Sequence, residues 1–144
     1  MCGPHGGATD DAFLKRFEAN EFPVGEFHHR EHVHLAWIYL DRYPALEALQ
    51  RFTSSLKAFV ARHGAADKYH ETVTWAFLFL INERRQRAGR SESWEEFAAA
   101  NSDLLDWSAD LLQRYYRAET LSSALARSTF VLPDRTQAGV AAPG

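Results

Sequence analysis

Hydrophobic residues recur every three to four positions along nearly the whole chain, and no stretch alternates with a period of two. A spacing of three to four residues collects apolar side chains on one face of an α-helix, whereas alternation collects them on one face of a strand. The spacing therefore predicts an all-α fold, a helical bundle of five to seven helices joined by short loops.

Residues that favour helix ends divide the chain into segments. Ser and Thr cap helix N-termini, proline is tolerated in a first turn, and glycine often follows a C-terminus. The segment from about 67 to 87 is the most apolar, and we expect it at the centre of the bundle. The expected helices run from Thr9 to before Asn20, from about 29 to 41 with His28 at the N-cap, from Pro44 to Gly64, from about 67 to 87, from Ser91 or Ser93 to about Ala100, and from 118 to 129.

The length of 144 residues, of which 46% are hydrophobic, is that of one domain with a real core. We expect this single domain to cover residues 9–134. The glycine- and proline-rich ends, 1–8 and 135–144, are expected to be flexible.

Composition excludes several classes of function. With 16 Lys and Arg against 19 Asp and Glu, the net charge is −3, which disfavours nucleic acid as a partner. The longest apolar run, from Trp75 to Ile81, is too short to cross a membrane. The N-terminus lacks the pattern of a signal peptide, and the single cysteine, Cys2, cannot form a disulfide framework. A soluble cytoplasmic protein is the expectation.

Two of the seven histidines fall on the buried face of the second expected helix. At about 100° per residue, the apolar stripe of this helix is centred on His29, with His32 at its edge one turn later. His28 and His34 fall off the stripe and are expected at the surface. Histidines three residues apart on a helix can both reach one metal ion.

A third histidine occupies a similar position on the fourth helix. His70 shares a face with Thr74, Phe77 and Ile81, and it is expected in the first turn of its helix, as is His29. An up-down-up order of the second, third and fourth helices makes the second and fourth parallel, so their N-terminal ends can meet. The three imidazoles are then expected to converge.

A buried imidazole needs a partner for its polar nitrogens. One divalent transition metal per chain, zinc first and copper or iron as alternatives, could satisfy His29, His32 and His70 together and keep an open position for water or substrate. The competing interpretation is that each histidine is hydrogen-bonded to protein groups in the core.

Four further residues are candidates near this site. Glu71 follows His70 and could be a ligand, a partner of a ligand, or a general base. Thr74 could orient a ring or a bound ligand, or bond back to its own helix. Arg127 could hold a substrate carboxylate, although pairing with Asp103, Asp106 or Glu119 is the alternative. Tyr115 is the remaining candidate for substrate binding.

This chain carries the motifs FxHxxHxxxAWxYL from Phe27, YHxTxTW from Tyr69, NxDLL from Asn101, and YY, LxSxxAR and FVxPD between Tyr115 and Asp134. On these motifs it resembles, from about residue 11 to 134, a family of small bacterial all-helical proteins. No reaction is assigned to that family, so the resemblance implies none; it implies that His29, His32 and His70 are the histidines of the pattern. One departure is Ser102, where the pattern often has proline.

These observations support two hypotheses of different classes. The first is a metal-dependent enzyme, a hydrolase, lyase or oxidoreductase, that acts on a small polar molecule. The second is a non-catalytic helical module, metal-sensing or partner-binding, whose histidines are structural. A homodimer is left open by the aromatic-rich surfaces of the third and fifth helices.

Overall fold

Helices and 3-10 turns account for all the regular structure in the computed structural model, which describes residues 7–89 and 92–135 and has no strand among them. The long helices are α1 (Gly7–Glu18), α2 (His29–Arg42), α3 (Ala45–Arg62), α4 (Glu71–Ala88) and α5 (Trp94–Ala100). Three short helices follow, α6 (Ser102–Leu105), α7 (Ala118–Leu121) and α8 (Ala124–Ser128). The 3-10 turns are Val24–Glu26, Ala66–Lys68, Trp107–Ala109 and Leu111–Arg114. The predicted all-α, single-domain bundle is confirmed.

Local capping explains several of the helix ends. The backbone N–H of His28 donates to Glu31 Oε1 at 2.9 Å, and His28 is the N-cap of α2, as predicted. Ser93 and Glu96 form a reciprocal capping box at the start of α5. Gly64 follows α3 with a φ of +67°, a left-handed conformation that glycine adopts without strain. Of the ends predicted to be flexible, 1–8 and 135–144, residues 7 and 8 belong to α1, while 1–6 and 136–144 lie outside the described residues, as does Ser91.

Three predicted boundaries were wrong. Helix α1 begins two residues before Thr9. Helix α4 begins at Glu71 rather than near residue 67, because a 3-10 turn precedes it and His70 is its N-cap. The predicted last helix is broken, since the Ser123 side chain accepts the Ala126 N–H and caps a separate α8.

Helix α2 lies at the centre of the bundle, in place of the expected α4. Its six residues from 35 to 40 are all buried, so both of its faces are covered. In α4, by contrast, Phe79 is 42% exposed. A helix that is buried all round must be apolar all round, and α2 meets that requirement over these six residues.

Helices α2 and α4 run parallel. Near their N-terminal ends, the rings of His29 and Phe77 have centroids 5.0 Å apart. Near their C-terminal ends, the Arg85 guanidinium donates to the Leu40 carbonyl at 2.9 Å and to Asp41 Oδ1 at 3.0 Å. Because later residues of α2 meet later residues of α4, the two N-terminal ends lie on the same side of the bundle.

No helix in the described part of the chain is both long enough and apolar enough to cross a membrane.

Candidate functional site

A cavity of about 350 Å³ lies at the N-terminal ends of α2 and α4, against the second half of α3. We call it the histidine cavity, since both His32 and His70 line it. Its volume falls within the range of about 300–1,000 Å³ that is typical of small-molecule sites. The lining residues are Phe27, His32, Leu56, Val60, Lys68, Tyr69, His70, Val73, Thr74, Trp107 and Arg127.

A smaller cavity of about 20 Å³, which we call the inner cavity, lies beside it. His29 and His32 line the inner cavity, together with α4 residues such as Phe77. His32, Val73 and Trp107 belong to the linings of both cavities. The three predicted histidines therefore surround two adjoining spaces, and His32 stands between them.

His32 has the most unusual surroundings of the three. Its Nε2 atom is completely enclosed and has no hydrogen-bond partner within residues 7–89 and 92–135. The nearest aromatic rings are those of Phe52, with centroids 5.3 Å apart, and Phe27, at 5.9 Å. Burial, and then the neighbouring His29, lower the pKa of His32 to about 4, so the ring is neutral at pH 7. An unpaired buried polar atom of this kind costs about 1–3 kcal/mol.

His29 is held in a defined tautomer. Its Nε2 lies 2.7 Å from the carbonyl oxygen of Leu104 in α6. A carbonyl can only accept, so Nε2 carries the hydrogen and Nδ1 keeps the lone pair. Burial lowers the pKa of His29, although the bond to Leu104 opposes this. His29 is thus a neutral ring with a basic nitrogen to spare.

His70 adopts the same tautomer but uses both nitrogens. Its Nε2 donates to the Leu121 carbonyl oxygen at 2.6 Å, and its Nδ1 accepts the Val73 N–H at 3.1 Å. The second bond is the helix cap, in which an imidazole takes the place of the usual hydroxyl or carboxylate. To bind a ligand through Nδ1, His70 must release this cap.

His29, His32 and His70 lie near one another, but their rings do not surround a common point. The ring centroids of His29 and His32 are 6.5 Å apart. Among residues 7–89 and 92–135, no three His, Cys, Asp or Glu side chains are already grouped closely enough to hold a metal ion. A shared ion would require these rings to rotate toward it and His70 to release the cap of α4.

Glu71 reaches the histidine cavity only through another residue. Its Oε1 accepts the Tyr69 hydroxyl at 2.5 Å and lies 3.6 Å from Lys57 Nζ. Glu71 is not among the lining residues, whereas Tyr69 is. The carboxylate therefore positions Tyr69 at the cavity wall.

Of the other three candidate residues, Thr74 and Arg127 line the histidine cavity, whereas Tyr115 lines another. Thr74 lines the cavity, but its hydroxyl donates to the His70 carbonyl at 2.7 Å, which is the bond back to its own helix. Arg127 also lines it and donates to the Asp67 carbonyl at 3.0 Å. Tyr115 lines a different cavity of about 180 Å³, beside Phe130.

Asp103, considered above as a partner of Arg127, is instead paired with Arg84, with Nη1 and Nη2 at 2.6 and 2.9 Å from its two oxygens. The Arg127 guanidinium is therefore left at the cavity rather than drawn to α6.

His34 was expected at the surface, and that prediction was wrong. Its Nε2 lies 3.0 Å from Asp10 Oδ1, and its ring stacks on Trp94 with centroids 4.2 Å apart and planes 5° from parallel. The packing of α1 and α5 against α2 covers this face, which the spacing within α2 alone does not indicate.

Three residues of the cavity were missed by sequence reasoning: Lys68, Tyr69 and Trp107. All three lie in or beside 3-10 turns, where hydrophobic spacing does not indicate which way a side chain points. Lys68 and Tyr69 could have been chosen as candidates because they directly precede His70 in the sequence.

Comparison with family models, curated proteins and solved structures finds no match to this chain. The function must therefore be argued from the site itself.

Proposed function

We propose that this protein acts on a small polar molecule in the histidine cavity, with one divalent transition metal, zinc first, held by His29, His32 and His70. The observation that carries the proposal is that His32, a residue lining that cavity, has an enclosed Nε2 with no hydrogen-bond partner among the described residues. Buried polar atoms almost always have partners, so an exception on a residue that lines a cavity calls for an explanation.

The donor chemistry of the three rings suits such an ion. His29 and His70 each donate Nε2–H to a main-chain carbonyl, at Leu104 and Leu121. Histidines that bind metals commonly make this bond with the nitrogen that does not face the metal, which fixes the tautomer. The lowered pKa values of His29 and His32 keep both rings neutral at pH 7, the form that binds a cation.

Bound through three imidazoles, such an ion would supply an open position and Lewis acidity toward a water or carbonyl oxygen. The protein contributes the remaining chemistry. Phe27, Val73 and Trp107 give the cavity apolar wall surface against which a ligand can pack. The Glu71 carboxylate orients the Tyr69 hydroxyl, and burial raises the pKa of Tyr69, so this hydroxyl stays protonated.

One observation favours a second candidate function. His70 already uses both ring nitrogens within the protein, as the cap of α4 and as the donor to Leu121. Histidines satisfied in this way fit a non-catalytic module in which they are structural and the cavity only binds a ligand or partner segment.

Metal analysis separates the two. We expect about one zinc, copper or iron per chain as isolated. We also expect that adding this metal back to chelator-treated protein raises its melting temperature, since a ligand that binds only the folded state stabilises it. Absence of metal together with an unchanged melting temperature on adding zinc, copper or iron would favour the non-catalytic module.

A further inference from the structure

We infer that the ligand of the histidine cavity is a small organic carboxylate whose charged end lies at Lys68 and Arg127 and whose apolar body lies against Trp107. The inference rests on the proposed function for the location of the site. It does not depend on the metal, and it adds the class of substrate.

The first step is the charge of the lining. Its polar members are two histidines, Tyr69, Thr74, Lys68 and Arg127, and no carboxylate is among them. The chain as a whole has a net charge of −3, so a cavity lined only by neutral and cationic groups differs from the average surface. A lining of one sign raises the local concentration of ligands of the opposite sign.

The second step is that the two cations are not neutralised. Neither Lys68 nor Arg127 forms an ion pair with any carboxylate in residues 7–89 and 92–135. Within the same residues, the side chain of Arg127 makes one hydrogen bond, to the Asp67 carbonyl, which is a neutral acceptor. It fixes the guanidinium at the cavity while other N–H groups stay available, and a guanidinium matches a carboxylate in two parallel hydrogen bonds.

The third step is the apolar part of the lining. Trp107 is 61% exposed although it is a large hydrophobic residue, and it lines the cavity together with Phe27, Leu56 and Val60. An exposed indole beside a cavity offers a flat face on which a ligand can pack. Inorganic phosphate or sulfate would use the cations but leave these walls uncovered, so an organic body is favoured.

Calorimetric titration of chelator-treated protein tests the inference, with phenylacetate and 3-methylbutanoate as probes and phenylacetamide as the neutral control. We expect at least one carboxylate to bind and the amide to bind at least about tenfold more weakly, because a charge-assisted bond is lost. Arg127→Gln and Lys68→Gln should each weaken carboxylate binding about five- to tenfold. Arg87→Gln, a charge change at the opposite end of α4, should leave it unchanged.

Several results would overturn the inference: no binding of either carboxylate, equal binding of phenylacetate and phenylacetamide, or unchanged affinity in both cavity variants. Binding of inorganic phosphate in their place would also overturn it. The metal is absent from this titration, so a protein that binds metal but no carboxylate refutes the inference alone. A protein that binds carboxylate but never metal refutes only the metal in the proposed function.

Discussion

His32 places a polar ring where packing alone would favour an apolar one. Its neighbours include Phe27, Phe52 and the α4 residues of the inner cavity, and its Nε2 has no partner in the part of the chain that the structure describes. Proteins commonly keep a destabilising group where activity requires it. His32 therefore lowers the stability of the folded protein at a position where the proposed function requires it.

Replacing His32 with leucine should stabilise the metal-free protein. The variant His32→Leu removes the unpaired nitrogen and retains apolar contacts, so we expect the free energy of unfolding in urea to rise by about 1 kcal/mol. His63→Leu, at an exposed histidine after α3, is the control and should change it by less than about 0.5 kcal/mol. A loss of stability in His32→Leu would mean that the nitrogen has a partner in solution.

Glu71 is expected to position Tyr69 rather than to bind metal. The variant Glu71→Gln keeps an oxygen that can accept the Tyr69 hydroxyl, so metal content per chain should equal that of the wild type. Metal analysis after dialysis measures this. If Glu71→Gln protein loses its metal, the carboxylate is a ligand.

At the scale of elements, sequence reasoning succeeded where the determinants are local. His28 as the N-cap of α2, and Ser93 as one of two candidate caps of α5, were predicted because a cap involves residues only a few positions apart. The face assigned to His29 was also correct, since its apolar neighbours in α2 are buried as expected.

The errors arose where distant parts of the chain decide. His70 was predicted inside a helix, because hydrophobic spacing cannot show that its ring caps α4 and bonds Leu121, 51 residues later. The position of Trp107 at both cavities likewise depends on how the turn after α6 packs on α4. The directions of side chains in such turns are set by tertiary contacts, which a single sequence does not show.

Thr72 connects α4 to the segment after α8. Its hydroxyl is fully buried, donates to the Thr129 carbonyl at 2.8 Å and accepts the Val131 N–H at 3.1 Å. The variant Thr72→Val keeps the shape but leaves both backbone groups unpaired, so we expect a loss of about 2 kcal/mol in urea unfolding. Thr53→Val should cost less than about 0.5 kcal/mol, since Thr53 bonds only carbonyls of its own helix. Equal losses would mean that this connection contributes nothing specific.

At the scale of the whole molecule, burial shifts several pKa values in a way that links stability to pH. Burial lowers the pKa of both His32 and His34 from 6.5 to about 4 and also lowers that of His29. The unfolded chain then binds protons that the folded protein does not. Burial, and then Glu95, raise the pKa of Asp10 from 3.8 to about 6, which acts in the opposite direction.

His34 and Asp10 contact each other and their opposite shifts largely cancel, so the lowered pKa values of His32 and His29 decide the sign. The free energy of unfolding should therefore fall as the pH is lowered from about 6.5 to 4. Urea unfolding at several pH values in this window measures it. The variant His32→Leu should show a shallower decline, because one of the groups that take up protons on unfolding is gone. Stability that rises as the pH falls through this window would contradict the burial of these rings.

The measurement that tests the proposed metal site most directly is metal content per chain, at about pH 7.5, in five single variants. His29→Gln, His32→Leu and His70→Asn each remove one imidazole, and asparagine retains a capping side chain for α4. We predict that each of the three loses stoichiometric metal, while His28→Asn and His34→Gln keep it, because two nitrogens are too few to hold an ion at an open site. Retention of one metal per chain by all five variants, or its loss only from the His28 or His34 variant, would contradict the three-histidine site.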